Sequence, residues 1–208
     1  MKATPSGRTV RLCALAAAAV FVAYRLLLRP RHLRWGASND ETERSMPGDE
    51  LIEEPDMIST RAISIEAPPD RVWPWVAQIG RDRGGFYSYD WIENPFGLDI
   101  HSADRVVAEY QSPEAGERIA LAPDGSGPDV ELVEKDRLLV LREPGGGWTW
   151  TFMLEPSGDC TRLLVRNRWS NAGRPFFFRL FTTLIDPAVF VMERKTLRGI
   201  RERAEGVG

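Results

Sequence analysis

Five short apolar or alternating runs, set apart by turn-forming peptides, restrict this chain to a few architectures. The runs are 118–121, 130–133, 138–142, 148–154 and 161–169, and the separators PDGSGP, EKDR, EPGGG and PSGD lie between them. Such separators are turn material, and connections this short join neighbouring antiparallel strands. The pattern predicts a meander of about five strands.

The flanks add a strand and two helices. Residues 59–67 alternate, with Ile63 and Ile65 on one face and Ser64 and Glu66 on the other, as in a half-buried strand. Pro68-Pro69 ends it, and Pro69 is placed to open a helix in which Val72, Trp75, Val76 and Ile79 recur at helical spacing, with Gly80 as its C-cap. Pro74 inside that helix removes one backbone hydrogen bond and should bend it. The tail returns to helix, with Asp186 as N-cap and Pro187 as first helical residue ahead of AVFVMERKTLRGIRERAE.

Between the first helix and the meander lies GGFYSYDWIENPFGLDIHSADR, residues 84–105. It sets five aromatics (Phe86, Tyr87, Tyr89, Trp91, Phe96) among Asp90, Glu93, Asp99, His101 and Asp104, with glycines and a proline breaking any long element. Rings mixed with a few polar groups suit the wall of a small-molecule cavity. A satellite core beneath a long loop is the plainer alternative. Trp148, Trp150 and Phe152 share one face of their strand, as core or as more of the same wall.

Charge separates the N-terminus from the rest. Seven of the 27 basic residues (Lys2, Arg8, Arg11, Arg25, Arg29, Arg31, Arg34) precede residue 40 with no acid among them, which leaves 20 against all 30 acids in the remainder. An acidic domain repels phosphate backbones, so no nucleic acid is expected as a partner. Cys13 and Cys160 lie in unrelated contexts, which argues against an intrachain disulfide. Neither CxxC nor HExxH is present, and two histidines cannot build a histidine-rich metal site; no metal and no cofactor are expected. No pattern specifies an oligomeric state.

Residues 12–28 form an apolar run interrupted only by Arg25, at the lower length limit for a membrane-spanning helix. Arg25 sits near one end, where it can snorkel to the headgroups. A cleaved signal peptide is the alternative, but small residues at the cleavage positions occur only inside the alanine run, and cutting there would leave an apolar tail. The reading is a single-pass anchor within residues 1–36. Arg25 near the end of the run with Arg29, Arg31 and Arg34 beyond it, against Lys2, Arg8 and Arg11 before it, favours a cytoplasmic domain. Residues 37–56 hold eight acids and one arginine with Pro47, Gly48 and Pro55, the composition of a solvated acidic linker. A chain starting near residue 40 would then fold without the anchor.

The order strand, helix, insertion, five strands, long helix resembles the START-like helix-grip superfamily, also called SRPBCC or polyketide cyclase/dehydrase-like. The resemblance rests on I-x-I-x-A-P-P-x-x-V-W-P-W (63–75), GGFYSYDWIEN (84–94), GLDIHSADR (97–105) and FVMERKTLRGI (190–200), and it covers about residues 34–205. The middle block and the RWGA junction at 34–37 are similar to bacterial members that carry an N-terminal membrane segment. The resemblance implies an α+β fold over 57–205, with a curved antiparallel sheet wrapped around the C-terminal helix and an apolar cavity between them. The superfamily mixes carriers, receptors and enzymes, so it does not fix the function.

Glu193 is the most pointed polar candidate. At 100° per residue it falls with Val189, Thr196, Ile200 and Ala204 on the apolar stripe of the last helix, while Arg194, Lys195, Arg198, Arg201 and Glu202 fall opposite. A carboxylate there either pairs with an arginine of the sheet or of the insertion, such as Arg105, or serves a ligand as contact or acid/base. His101 with Asp104 is the second candidate for proton transfer, although a loop histidine is more often structural. Asp99, His101 and Asp104 lack a specific metal spacing, and no activated serine or cysteine is evident.

These observations describe a membrane-tethered protein binding a small apolar or amphipathic, lipid- or polyketide-like ligand through Trp75, Phe86, Tyr87, Tyr89, Trp91, His101, Trp148, Trp150, Phe152 and Glu193. A cyclase or hydrolase using Glu193 or His101 is the alternative. A third reading makes the aromatic block a docking surface, which requires its rings to be exposed.

Overall fold

The computed structural model describes residues 7–89 and 101–206. Strands β1 (Met57–Ile65), β2 (Asp129–Glu134), β3 (Leu138–Arg142), β4 (Trp148–Ser157) and β5 (Cys160–Trp169) make one sheet in the order β1-β5-β4-β3-β2, with every pair antiparallel. The meander accounts for β2 to β5, and β1 joins by pairing along the whole of β5. Residues 118–121 do not form the expected strand. They meet 126–130 through a few backbone bonds, including Ile119 N–H to the Pro128 carbonyl at 2.9 Å, and a single bridge from Arg118 to Asp129. Pro128 has no N–H to return, so the ladder cannot continue.

Helix α4 (Pro69–Ala77) begins with Pro69 at its first position, as expected. Its C-cap is Gln78 rather than Gly80, because Gly80 turns to φ 138° and pairs with Gly85 across a short loop. The last helix, α5 (Phe176–Glu205), starts ten residues before the expected N-cap and runs through Pro187. Asp186 caps nothing. Its carboxylate accepts from Arg29 Nε at 2.8 Å, so the ion pair claims the group that would have ended the helix.

One core fills the space between the sheet's inner face and the two helices. Ile63, Ile65, Phe152, Leu154, Leu163 and Val165 meet Val72, Trp75 and Val76 of α4 and Leu197, Ile200 and Ala204 of α5. The architecture is the α+β helix-grip arrangement, a five-stranded antiparallel sheet with a long C-terminal helix.

The outer face is covered as well. Residues 36–53 lie across it instead of forming a solvated tether. Ser38 and Glu41 build a capping box at α3 (Asn39–Glu43). Met46 packs with Ala62, Leu138, Val140, Met153 and Leu164 on that face. Three arginines alternating along β5 hold the backbone of this strap. Arg162 makes a two-pronged contact with Glu41 (2.7 and 2.9 Å), Arg166 reaches Asp49 (2.6 Å) and the carbonyls of Glu41 and Arg44, and Arg168 reaches the Ile52 carbonyl. Acid content suggested solvation, whereas these arginines, all on one face at i, i+4 and i+6, convert it into binding.

Helix α1 (Gly7–Ala23), a π-helical turn (Tyr24–Leu28) and α2 (Arg29–Leu33) form one continuous helical rod. Within it Val10–Leu33 is 24 residues long and apolar enough to cross a membrane by length and composition, and it is exposed until its docked end. Its end docks on α5: besides Arg29, both His32 (3.4 Å) and Tyr24 (3.5 Å) approach Asp186, and His32 stacks on Phe190 with ring centres 5.1 Å apart.

Candidate functional site

Glu193 points inward and is 7% exposed, in line with Thr196, Leu197, Ile200 and Ala204. Val189 does not share this stripe; it is 38% exposed, so the inward face of α5 begins at Glu193. Three strands supply donors to this one carboxylate. Arg61 of β1 pairs with Oε2, while Oε1 accepts from Trp150 Nε1 of β4 (3.0 Å) and Asn167 Nδ2 of β5 (2.7 Å). Arg61 is 1% exposed, gives its Nε–H to the His32 carbonyl at 2.9 Å, and lies over the Phe190 ring at 5.3 Å. A buried ion pair needs further hydrogen bonds to offset its desolvation, and Trp150, Asn167 and the His32 carbonyl supply them here.

The partner is thus an arginine of the sheet and not Arg105. Arg105 is exposed, and its carbonyl accepts from Gln78 Nε2 at 3.2 Å. Arg61 and Asn167 carried a signal that sequence reasoning passed over. Arg61 stands two residues before Ile63 and Asn167 two after Val165, so alternation puts both on the core face, where a polar group needs a partner.

Beside this network four rings form a ladder along the sheet. Trp169 stacks on Trp148 (5.1 Å, 22°), Trp148 on Trp150 (5.8 Å, 26°), and Trp150 meets Phe152 (4.6 Å, 51°). The cause is register: 148, 150 and 152 share a face of β4, and Trp148 lies directly opposite Trp169 on β5. Trp148 Nε1 donates to Asn167 Oδ1 at 2.9 Å, which ties the ladder to the Glu193 network. Phe152 is fully buried, whereas Trp148 and Trp169 are half-buried. The ladder therefore leads from the surface into the core. At its outer end a groove of about 370 Å³ opens beside Trp148, walled by Leu121, Pro128, Arg118 and Glu143. Its two charges are already paired, Arg118 with Asp129 and Glu143 with Arg174.

The aromatic block is only partly brought to this interior. Tyr87 is 1% exposed and lies edge-on to the buried Trp75, with ring centres 6.0 Å apart. Burial pushes its phenol well above the ordinary value of 10.0, so it stays protonated at neutral pH and exchanges no proton there. Phe86 and Tyr89 are half-buried, Phe86 against the main core. Trp91, with Asp90, Glu93, Phe96 and Asp99, lies outside the described residues. His101 is exposed, and Asp104 is exposed with Oδ1 accepting from Arg203 Nη2 at 3.1 Å. Among the described residues no three His, Cys, Asp or Glu side chains gather as a metal site would require.

No protein-family model matches the chain, and no curated protein matches its sequence. Solved structures do resemble it. The polyketide-cyclase-like protein Cgl2372 of Corynebacterium glutamicum is 20% identical over 69% of this chain and 88% of its own, with a TM-score of 0.41. The KanY protein is 15% identical over 72% and 98%, with a TM-score of 0.44. The Aha1 protein of Colwellia psychrerythraea is 17% identical over 72% and 96%, with a TM-score of 0.40. The architecture of the chain itself, a five-stranded antiparallel sheet with a long C-terminal helix, is of the helix-grip kind.

Proposed function

We propose that this chain is a membrane-tethered binding protein for a small apolar or amphipathic molecule with a flat apolar part, held in the groove at the outer end of the tryptophan ladder. The observation that carries this reading is the ladder itself. Four rings run from a half-buried end beside a groove to a fully buried end, and aromatic faces with few free polar groups suit a lipid- or polyketide-like ligand. Binding is favoured over acid–base catalysis because Glu193 has its lone pairs engaged by Arg61, Trp150 and Asn167, and because His101 and Asp104 face solvent. The burial of Tyr87 counts against the block as a docking surface. The tether rests on the 24-residue apolar helix, and the cluster of Arg25, Arg29, Arg31 and Arg34 at its C-terminal end, against Lys2, Arg8 and Arg11 at the other, favours a cytoplasmic domain.

Two experiments test the two halves. Mass spectrometry of small molecules extracted with the full chain should find one recurrent apolar species in stoichiometric amount, depleted in a folded Trp148→Ala variant. Equal recovery from both proteins, or no such species, sinks the ligand reading. Resistance of the full chain to carbonate extraction supports the tether, and release of the intact chain defeats it.

A further inference from the structure

The base of the N-terminal helix carries a second groove, of about 600 Å³, walled by Leu26, Leu27, Pro30, Arg31, Arg34 and Trp35. Its chemistry changes along the helix. Leu26 and Leu27 end the apolar run and are exposed, and Arg31 and Arg34 follow one to two turns later, also exposed. At a rise of about 1.5 Å per residue, the charges stand roughly 6–12 Å beyond the leucines along the axis, the offset between acyl chains and headgroups at a bilayer edge. Trp35, at the same level, has the amphipathic ring that favours that interface.

Helix α5 adds to the charge beside Trp35, a residue of the groove wall. Arg194 and Arg198 of α5 hold their guanidinium groups 5.3 and 5.7 Å from the Trp35 ring centre. Arg194 Nε is buried without a hydrogen-bond partner. Arg31 reaches only the Leu27 carbonyl, and Arg34 only Asn39 at 3.4 Å. Many other arginines of this acidic domain pair with carboxylates, as Arg61, Arg83, Arg118, Arg162 and Arg166 do. Among the described residues, none of these four meets one. Two arginines in the groove wall and two more beside its Trp35 ring, next to an apolar wall continuous with the anchor, form a field that selects a net negative group with a hydrocarbon tail.

We propose that this groove binds one anionic phospholipid, its acyl chain along Leu26 and Leu27 and its phosphate among Arg31, Arg34, Arg194 and Arg198. The site rests on the reading of the N-terminal helix as a membrane span. Arg194 and Arg198 join it only while that helix is docked on α5, so the lipid would fix how the domain sits on the bilayer.

The test uses the full chain in mixed micelles with equal phosphatidylglycerol and phosphatidylcholine, read by native mass spectrometry. Wild type should retain one phosphatidylglycerol over phosphatidylcholine by roughly tenfold or more, the scale that two arginines near an anionic surface supply. Arg31→Gln with Arg34→Gln should bring the ratio near parity without moving the thermal midpoint, and Arg194→Gln should weaken it from the α5 side. Equal retention by wild type, or an unchanged preference in the variants, overturns the site. Displacement of the lipid by millimolar inorganic phosphate would reassign the arginines to a soluble anion and overturn it too. Carbonate extraction keeps the two readings apart: release of the chain defeats the tether, whereas an embedded chain without lipid preference defeats this site alone.

Discussion

A Cβ placed on Gly199 of α5 would stand 2.6 Å from both the Cβ and the carbonyl oxygen of Tyr87, nearer than such atoms ever approach. Tyr87 itself sits at φ 56°, an uncommon conformation for a residue with a side chain, and its N–H is held by Ser102 Oγ at 3.0 Å. The gap at Gly199 is what lets the aromatic block press its first buried ring against α5.

Gly199→Ala should therefore destabilise the protein. Alanine improves helix propensity by about 1 kcal/mol, but overpacking against fixed backbone costs about 1–3 kcal/mol, and the clash should win. Chemical denaturation gives the sign directly. A variant more stable than wild type would show that Tyr87 is free to move away.

Glu193→Gln should cost about 1–3 kcal/mol, since it keeps an acceptor for Trp150 and Asn167 but leaves the buried Arg61 without a counter-charge. Removing both charges, as Arg61→Met with Glu193→Met, should cost less than the sum of the single changes. Additive losses in that cycle would mean that the two groups do not act as a pair.

The strap gives a pH dependence. The paired contact with Arg162, reinforced by the capping-box bond from Ser38, holds the Glu41 carboxyl down from its ordinary value of 4.5 to about 2. A depressed carboxylate contributes stability above its unfolded value and loses it as pH falls toward the folded one. The excess stability of wild type over Glu41→Gln should be full above about pH 5 and should vanish between there and about pH 2. Glutamine preserves the capping box, so the comparison isolates the charge. A difference that is constant across that window would exclude the ion pair as the source.

A chain beginning at residue 40 should be less stable than one beginning at Arg29 by about 2–4 kcal/mol, contrary to the independence that a solvated linker implies. The shorter chain loses the His32 carbonyl that receives Arg61, the Trp35 carbonyl that receives the Ala62 N–H, and the Ser38 cap of α3. Thermal midpoints of the two chains decide it, and equal values would mean that the strap holds without its entry segment.

Local chemistry made several features legible in the sequence alone. Turn residues and period-two alternation marked β1 to β5, Pro69 marked the start of α4, and the uncharged run marked a helix long enough to span a bilayer. Each depends on neighbours within a few residues. The inward aim of Glu193 was also legible, because helical phase is local.

Tertiary structure decided the rest. Asp186 reads as a helix cap until Arg29, 157 residues away in sequence, occupies its carboxylate. Residues 37–56 read as a tether until the arginine row of β5 turns out to face most of them. Arg61 and Asn167 lay on predictable faces, but only the pairing of β1 with β5 and of β5 with β4 sets them around one carboxylate. Burial and charge pairing are properties of facing surfaces, and a sequence records each surface without recording which one it will meet.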